Sequence, residues 1–287
     1  MKTILITGSN GQLGESCIKI LESYFNIIAT SRKESNSALK MDITDSLATK
    51  KILKDFKPEV IVNLAAMTDV DGCEVDKGLA KKINVEGVKN LCQYFKGHFI
   101  QISTDYVFDG LNGPYSESDK VNPISYYGES KLLAEEWLKI NFVKSTVLRT
   151  NVVYNYIKHT NASFLKWVID SLNKNKTINV VNDQWNNPTW TQSLSIVIAR
   201  IIKKESFGLY HYGDKDYMSR FEFAKLIANV FKLDSSLIIP ISTLSLDQIA
   251  QRPLNGGLKT KKIESELGII PNTVENCLHE IHKLLDK

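Results

Sequence analysis

Long apolar runs, paired cysteines and blocks of like charge are all missing from this chain of 287 residues. No apolar stretch approaches the roughly 18 residues that a membrane-spanning helix needs, and the apolar run after Lys2 is too short for a secretory signal peptide. At a net charge of +4 there is no block of about five like charges, which argues against a nucleic-acid surface. We therefore expect a protein that binds neither nucleic acid nor membrane.

Metal-binding patterns are missing too. The few cysteines form no C-x-x-C pair and fit no zinc spacing, so we expect reduced thiols and a cytoplasmic protein. The cysteines are Cys17, Cys73, Cys92 and Cys277. His279 and His282 lie three residues apart without a third ligand, and we predict no metal site.

What the chain does contain is a repeated alternation of apolar strands and amphipathic helices. The predicted strands lie at 2–7, 26–30, 59–63, 98–103 and 145–150, and a long helix is predicted over 70–95. This alternation is typical of the α/β class, with a doubly wound parallel sheet of the Rossmann type. We predict a dinucleotide-binding domain over 1–150 and a smaller C-terminal α/β substrate-binding lid over 151–287, from which the chain can cross back into the first domain.

A glycine turn follows the first strand and opens a helix. It reads Gly8-Ser9-Asn10-Gly11-Gln12-Leu13-Gly14. Its G-x-x-G-x-x-G spacing is one residue longer than the G-x-G-x-x-G fingerprint. The glycines let the backbone approach a pyrophosphate, to which the helix N-terminus offers free N–H groups. We predict a dinucleotide site that includes Gly8, Asn10, Gly11, Gln12, Leu13 and Gly14.

The end of the second strand indicates which dinucleotide binds. An NAD site usually has a carboxylate there, but this chain reads Ser31-Arg32-Lys33. Two cations suit a 2′-phosphate, so we predict NADPH, with NADH as the alternative. Asp42 and Ile43 are predicted to contact the adenine. The small residues that end the third strand allow close approach of the cofactor. They are Leu64, Ala65 and Ala66, followed by Met67.

Tyr127 and Lys131 are four residues apart on a predicted helix, so they share one face. An ammonium beside a phenol favours the phenolate, which makes Tyr127 a candidate proton donor. Ser103 and Thr104 end the fourth strand, on the cofactor side of the sheet, and can point into the same pocket. Asn84 is predicted to support this pocket from the helix behind it.

Taken together, these motifs resemble an extended short-chain dehydrogenase/reductase, and more narrowly the dTDP-4-dehydrorhamnose reductase family. The resemblance rests on the glycine turn, Ser103-Thr104-Asp105-Tyr106-Val107-Phe108, Tyr127-x-x-x-Lys131, Asp183-Gln184 with Pro188-Thr189, and Arg252-Pro253-x-Asn255. It implies hydride transfer from NADPH to the 4-keto group of a nucleotide-linked deoxysugar, with a homodimer as the candidate assembly.

The resemblance also implies residue roles. Tyr127 would protonate the carbonyl oxygen, Thr104 would hydrogen-bond it, and Lys131 would bond the nicotinamide ribose. Residues implied to bind the substrate are Met67, Thr104, Asp105, Asn151, Val152 and Arg252. Two departures from the family pattern bear on the sugar: Val152 stands near a usual tryptophan, and Gly256-Gly257 replaces a usual Ser-Arg.

Two alternatives share this scaffold. A nucleotide-sugar epimerase would retain its cofactor through both half-reactions, and a dehydratase needs additional acid/base carboxylates. A regulatory subunit of the methionine adenosyltransferase type would keep the fold without catalysis. Intact Thr104, Tyr127 and Lys131 argue against that second alternative.

Overall fold

The computed structural model describes residues 1–33, 35, 37–158 and 163–285. A seven-stranded parallel sheet forms its centre, which confirms the predicted α/β class. The elements of the first half are β1 (Thr3–Thr7), α1 (Gln12–Leu21), β2 (Asn26–Ser31), β3 (Leu39–Lys40), α2 (Ser46–Phe56), β4 (Val60–Asn63), α3 (Val70–Val75), α4 (Lys77–Lys81), α5 (Gly87–Gln93), β5 (His98–Thr104), α6 (Tyr126–Asn141) and β6 (Ser145–Thr150).

The described residues of the second half form shorter strands and five further α-helices. Its elements are β7 (Val153–Tyr154), α7 (Phe164–Leu172), β8 (Ile178–Val181), β9 (Trp185–Asn186), β10 (Thr189–Trp190), α8 (Thr191–Lys204), β11 (Gly208–His211), β12 (Met218–Ser219), α9 (Arg220–Val230), β13 (Ile238–Ile241), α10 (Lys261–Leu267) and α11 (Val274–Leu285).

The strand order of the central sheet is β11-β6-β5-β4-β1-β2-β3. The chain moves outward from β1 to β2 and β3, then returns to the other side of β1 to form β4. The order therefore reverses between β1 and β4, and a crevice opens at the carboxyl ends of these strands. Ligands of open α/β sheets bind in this crevice, so the topology itself places the candidate site.

Both faces of the sheet are covered by helices, which explains why its strands are continuous apolar runs rather than alternating ones. One face packs against α1, α8 and α10 around residues such as Cys17, Leu21 and Ile198. The other packs against α2, α5 and α6 around residues such as Leu91 and Leu138.

A separate apolar core lies in the second half of the chain. It joins α7, α9 and α11 to the β8–β13 pair, with Phe223 and Leu278 fully buried at its centre. Helix α8 and strand β11 are not part of this core. They return to the central sheet, where β11 pairs with β6 at the edge.

The single helix predicted over 70–95 is wrong. The segment is divided into α3, α4, a π-helical turn (Lys82–Glu86) and α5. Asp76 marks the first break, because it caps a new helix start by accepting a hydrogen bond from the Leu79 backbone (2.8 Å). The π-helical turn carries Asn84, whose buried side chain supports the site described next.

In the described part of the chain, no helix is both long and apolar enough to cross a membrane. Across the same residues there is no cluster of histidine, cysteine and acidic side chains that could hold a metal ion.

Candidate active site

A cleft of about 930 Å³ opens at the reversal point of the sheet. The glycine turn forms one wall and brings its backbone very close to the end of β4. A Cβ on Gly8 would lie 2.9 Å from the Ala65 nitrogen, and one on Gly14 would lie 2.4 Å from the Ser9 carbonyl oxygen. Gly8 also has a φ of +62°, so both space and backbone conformation require glycine there. The turn residues that line the cleft are Gly8, Gly11, Gln12, Leu13 and Gly14.

The end of β2 closes the same cleft at one side. Arg32 lines it with an exposed side chain, and Asn10 donates a hydrogen bond to the Ser31 hydroxyl beside it (3.0 Å). Asp42 and Ile43 line the neighbouring wall, where Asp42 accepts a hydrogen bond from the Thr44 backbone (2.8 Å). The residues predicted to bind the 2′-phosphate and those predicted to contact the adenine therefore lie close together at one side of the cleft.

The opposite end of the cleft holds Thr104, Tyr127 and Lys131. Ser125 caps α6 by accepting a hydrogen bond from Gly128, so Tyr127 lies in the first turn of that helix. Thr104 is the last residue of β5, and its side chain lines the same end of the cleft as the Tyr127 phenol. The Lys131 ammonium donates to the Ile102 carbonyl (2.6 Å). Residues from a strand end and a helix start therefore converge.

Burial controls the ionisation of this group. It raises the pKa of the Tyr127 phenol, while the neighbouring Thr104 hydroxyl acts in the opposite direction. Burial lowers the pKa of Lys131 to about 8, against the opposing attraction of Glu135. A phenol with a raised pKa holds its proton at neutral pH, so Tyr127 is a proton donor rather than a base in this state.

Two buried networks hold the group in place. Asn84 receives a hydrogen bond from the Met67 backbone (2.8 Å) and donates to the Ser130 hydroxyl (2.9 Å), in agreement with its predicted supporting role. On the other side of α6, Glu135 accepts three hydrogen bonds from Arg149 on β6, at 2.6, 3.0 and 3.1 Å. The Ser103 hydroxyl donates to the same Glu135, so it is directed at this ion pair.

The Glu135–Arg149 ion pair was not predicted from the sequence. Both residues are buried, and the pair joins α6 to β6 directly behind Lys131. The available signal was a charged residue in each of two apolar elements, Glu135 in the helix and Arg149 in the strand.

Most of the residues implied to bind substrate line the cleft. Met67, Asn151 and Val152 line it, with Leu64, Ala65 and Ala66 beside them. Val152 has a φ of +39°, which is a strained backbone for a β-branched residue. Such strain is concentrated at ligand sites.

Asp105 and Arg252 are outside the set of residues that line the cleft, and each is held by other contacts. Asp105 is buried, which raises the pKa of its carboxyl to about 6, and it accepts hydrogen bonds from the Gly257 backbone and the Thr104 hydroxyl (both 3.3 Å). Arg252 forms a two-pronged ion pair with Asp71 of α3, at 2.6 and 2.9 Å. Its contact with substrate stays a prediction.

The cleft fits a dinucleotide by its own geometry. Its glycine wall leaves no room for a side chain, and the Thr150 hydroxyl beside Thr104 and Tyr127 is buried without a hydrogen-bond partner among the described residues. A buried polar group of this kind needs a partner, which a bound ligand can provide.

Three comparisons with known proteins agree with this geometry. The family model of the RmlD substrate binding domain matches residues 1–286. A dTDP-4-dehydrorhamnose reductase from Aggregatibacter actinomycetemcomitans is 32% identical over 98% of each chain. A crystal structure of dTDP-4-dehydrorhamnose reductase from Bacillus anthracis in complex with NADP superposes with a TM-score of 0.91 and is 28% identical over 99% of each chain.

Another relative has a different role. The β subunit of methionine adenosyltransferase 2 from Bos taurus is 32% identical over 93% of this chain and 83% of its own length. A protein can therefore be similar to this chain over most of its length and still be named as a subunit of another enzyme.

Proposed function

This chain belongs to the RmlD substrate binding domain family, and we propose that it is an NADPH-dependent reductase of the 4-keto group of a nucleotide-linked deoxysugar, as in dTDP-4-dehydrorhamnose reductases. One observation carries the proposal. Thr104, Tyr127 and Lys131 converge at one end of a cleft whose other end is a glycine turn and a cationic corner. It is an oxidoreductase of the short-chain dehydrogenase/reductase superfamily.

Each part of the cleft has a place in this reaction. The glycine turn and the N-terminus of α1 hold the cofactor diphosphate, while Arg32, Ser31 and Asn10 surround the 2′-phosphate. When it is bound, the nicotinamide supplies the hydride.

The protein supplies the proton. Thr104 orients the substrate carbonyl by hydrogen bonding, and Tyr127 delivers its phenolic proton to the oxygen as the oxygen becomes an alkoxide. Lys131 stabilises the phenolate that remains, because its ammonium lies one helical turn from Tyr127. Positioned proton transfer of this kind contributes roughly 10²–10⁴-fold in rate.

A test of the function is NADPH oxidation with a panel of dTDP-, GDP-, UDP- and CDP-linked 4-keto-6-deoxysugars. We expect turnover with at least one of them. Tyr127→Phe should lower kcat by at least about 100-fold while NADPH affinity stays within about twofold. Tyr126→Phe is the matched control, since the neighbouring ring packs over the Lys77 ammonium instead. Normal turnover by the Tyr127 variant would refute the catalytic assignment.

The regulatory function is the second candidate, because of the 32% identity to the methionine adenosyltransferase subunit. Failure to reduce any sugar of the panel, together with co-purification of a methionine adenosyltransferase, would favour it. The epimerase or dehydratase alternative fits less well, since Asp105 is the one acidic residue adjoining Thr104 in the sequence. We further propose that the protein works in the cytoplasm, which its buried free thiols support, and that it forms a homodimer.

A further inference from the structure

Thr150 carries a buried hydroxyl that has no hydrogen-bond partner among the described residues. It is the last residue of β6, it is 4% exposed, and it lines the cleft. Most buried side-chain hydroxyls have a partner, because losing contact with water costs free energy that a new hydrogen bond must recover. An unpartnered hydroxyl in the wall of a cleft is therefore suited to a ligand.

The residues on either side hold Thr150 in place. Arg149 is fixed by its buried ion pair with Glu135. The Asn151 side chain accepts a hydrogen bond from the Thr189 hydroxyl (3.3 Å). The backbone of β6 is itself paired with β5 as far as Thr150. The Thr150 side chain therefore projects from a rigid base.

Thr150 lies directly beside Thr104. The two residues are register partners on adjacent parallel strands, so their side chains project from the same face of the sheet, with the strands roughly 4.8 Å apart. The strand order puts Thr150 on the side of Thr104 that faces away from β4 and β1, whose ends carry the cofactor part of the cleft. A group that binds Thr150 therefore lies beyond the reacting carbonyl as seen from the glycine turn.

We infer that the Thr150 hydroxyl binds the hydroxyl group on C3 of the sugar, next to the 4-keto carbon, an inference that rests on the proposed function. With the keto oxygen on Thr104, the carbons that flank the keto carbon are the parts of the sugar that Thr150 can reach. In a 4-keto-6-deoxyhexose, C5 carries a methyl group and the weakly accepting ring oxygen, whereas C3 carries a hydroxyl. A hydroxyl both donates and accepts, so C3 offers the partner that Thr150 lacks.

This contact makes Thr150 a specificity residue. A sugar without the C3 hydroxyl leaves the Thr150 hydroxyl buried and unpartnered, and a site built to bond a substrate hydroxyl rejects the analogue that lacks it. The same contact stops the sugar from turning about its carbonyl contact with Thr104. We therefore expect its loss to lower kcat as well as to raise KM.

The test is the rate of NADPH oxidation with pairs of substrates. The probes are 4-keto-6-deoxyhexoses linked to dTDP, GDP, UDP and CDP, each paired with its 3-deoxy analogue. Wild type should prefer the 3-hydroxy sugar roughly 10- to 100-fold in kcat/KM, and Thr150→Val, which removes the hydroxyl alone, should lose most of that preference. Thr150→Ser keeps a hydroxyl and should retain the preference. NADPH affinity should stay within about twofold in both variants.

Thr49→Val is the matched control. The Thr49 hydroxyl is also buried and without a partner in the described part of the chain, but it lies on α2, outside the residues that line the cleft. This variant should keep the wild-type preference. Denaturant unfolding without ligands is a second readout, because removing an unpartnered hydroxyl should not lower the midpoint of Thr150→Val or of Thr49→Val.

Three results would overturn the inference. The first is an unchanged preference in Thr150→Val. The second is an equal loss with both sugars together with weaker NADPH binding, which would assign the hydroxyl to the nicotinamide carboxamide. The third is a lowered midpoint in Thr150→Val alone, which would reveal a partner within the protein.

The contact can also be tested without turnover. If wild type reduces none of the keto-sugars, calorimetry with the corresponding 4-hydroxy sugar nucleotides and NADP⁺ gives the same comparison of 3-hydroxy with 3-deoxy sugars. A preference that Thr150→Val removes would uphold the hydroxyl contact and refute the reductase function. No such preference in wild type, or no binding of either sugar, would overturn the inference.

Discussion

A single lysine decides how the candidate site responds to alkaline pH. Lys131 is buried, and burial lowers its pKa to about 8 although its ammonium donates a hydrogen bond to the Ile102 carbonyl. The protonated form is the one that stabilises a Tyr127 phenolate. Proton loss from Lys131 should therefore remove the positive charge just above neutral pH.

We expect kcat/KM to decline above about pH 8, approaching tenfold per pH unit. Lys131→Arg should be slower but should keep its charge, so its alkaline limb should move upward by more than one unit. The measurement is a pH–rate profile for both proteins. If the alkaline limb of the Lys131→Arg profile does not move, the ionisation that it reports belongs to another group.

The lowered pKa of Lys131 also makes the free energy of unfolding depend on pH. Between pH 8 and the ordinary lysine value of 10.5, the unfolded chain binds more protons at this residue than the folded chain does. This group alone therefore makes the free energy of unfolding rise with pH across that window.

At the scale of single residues, the sequence predicted positions that depend on local spacing. Tyr127 and Lys131 share a face because a helix fixes their separation, and Gly8 is required by its own φ. The Glu135–Arg149 ion pair was missed because its members lie in different elements, Glu135 in α6 and Arg149 in β6. No local pattern could bring them together.

At the scale of elements, the site depends on how α6 is held against the sheet. The Glu135–Arg149 ion pair spans α6 and β6, and both side chains are at most 6% exposed. Arg149 also stacks over the Phe108 ring at 5.2 Å. The ion pair therefore fixes the position of α6 on the sheet. The position of Tyr127 relative to the end of β5 depends on it.

Glu135→Gln should destabilise the protein by about 3–5 kcal/mol, because it leaves the Arg149 charge buried without its counter-ion. Denaturant unfolding measures this loss. The neighbouring Glu136→Gln is the control and should change stability by less than about 0.5 kcal/mol, since Glu136 is exposed. Equal stability of the two variants would show that the ion pair does not hold α6.

Element boundaries show the limit of periodicity as a guide. The strands predicted over 59–63 and 98–103 were visible as apolar runs, whereas the break at Asp76 and the π-helical turn over Lys82–Glu86 were not visible in the sequence. A helical period continues through such breaks, so it does not mark them. The capping contact at Asp76 and the buried contacts of Asn84, which only the tertiary structure provides, locate them.

At the scale of the whole molecule, an ion pair joins the first half of the chain to the loop that carries Arg252. Asp71 of α3 accepts hydrogen bonds from both Arg252 nitrogens and from the Ala250 backbone (2.8 Å). The hydrogen bonds from Arg252 lower the pKa of Asp71. The same loop continues to Gly257, whose backbone contacts Asp105. This ion pair therefore couples the position of the loop to Asp105, the residue next to Thr104.

Asp71→Asn should lower stability by about 1 kcal/mol, because the pair is partly exposed, and should raise KM for the sugar nucleotide severalfold with NADPH affinity unchanged. If Arg252 acts through Asp71, then Arg252→Gln and the double variant should show the same KM as Asp71→Asn. A direct substrate contact would instead make Arg252→Gln clearly worse than Asp71→Asn. Asp55→Asn, on the exposed side of α2, is the control and should match wild type. An additive double variant would mean that the two residues act separately, and that the loop is held by other contacts.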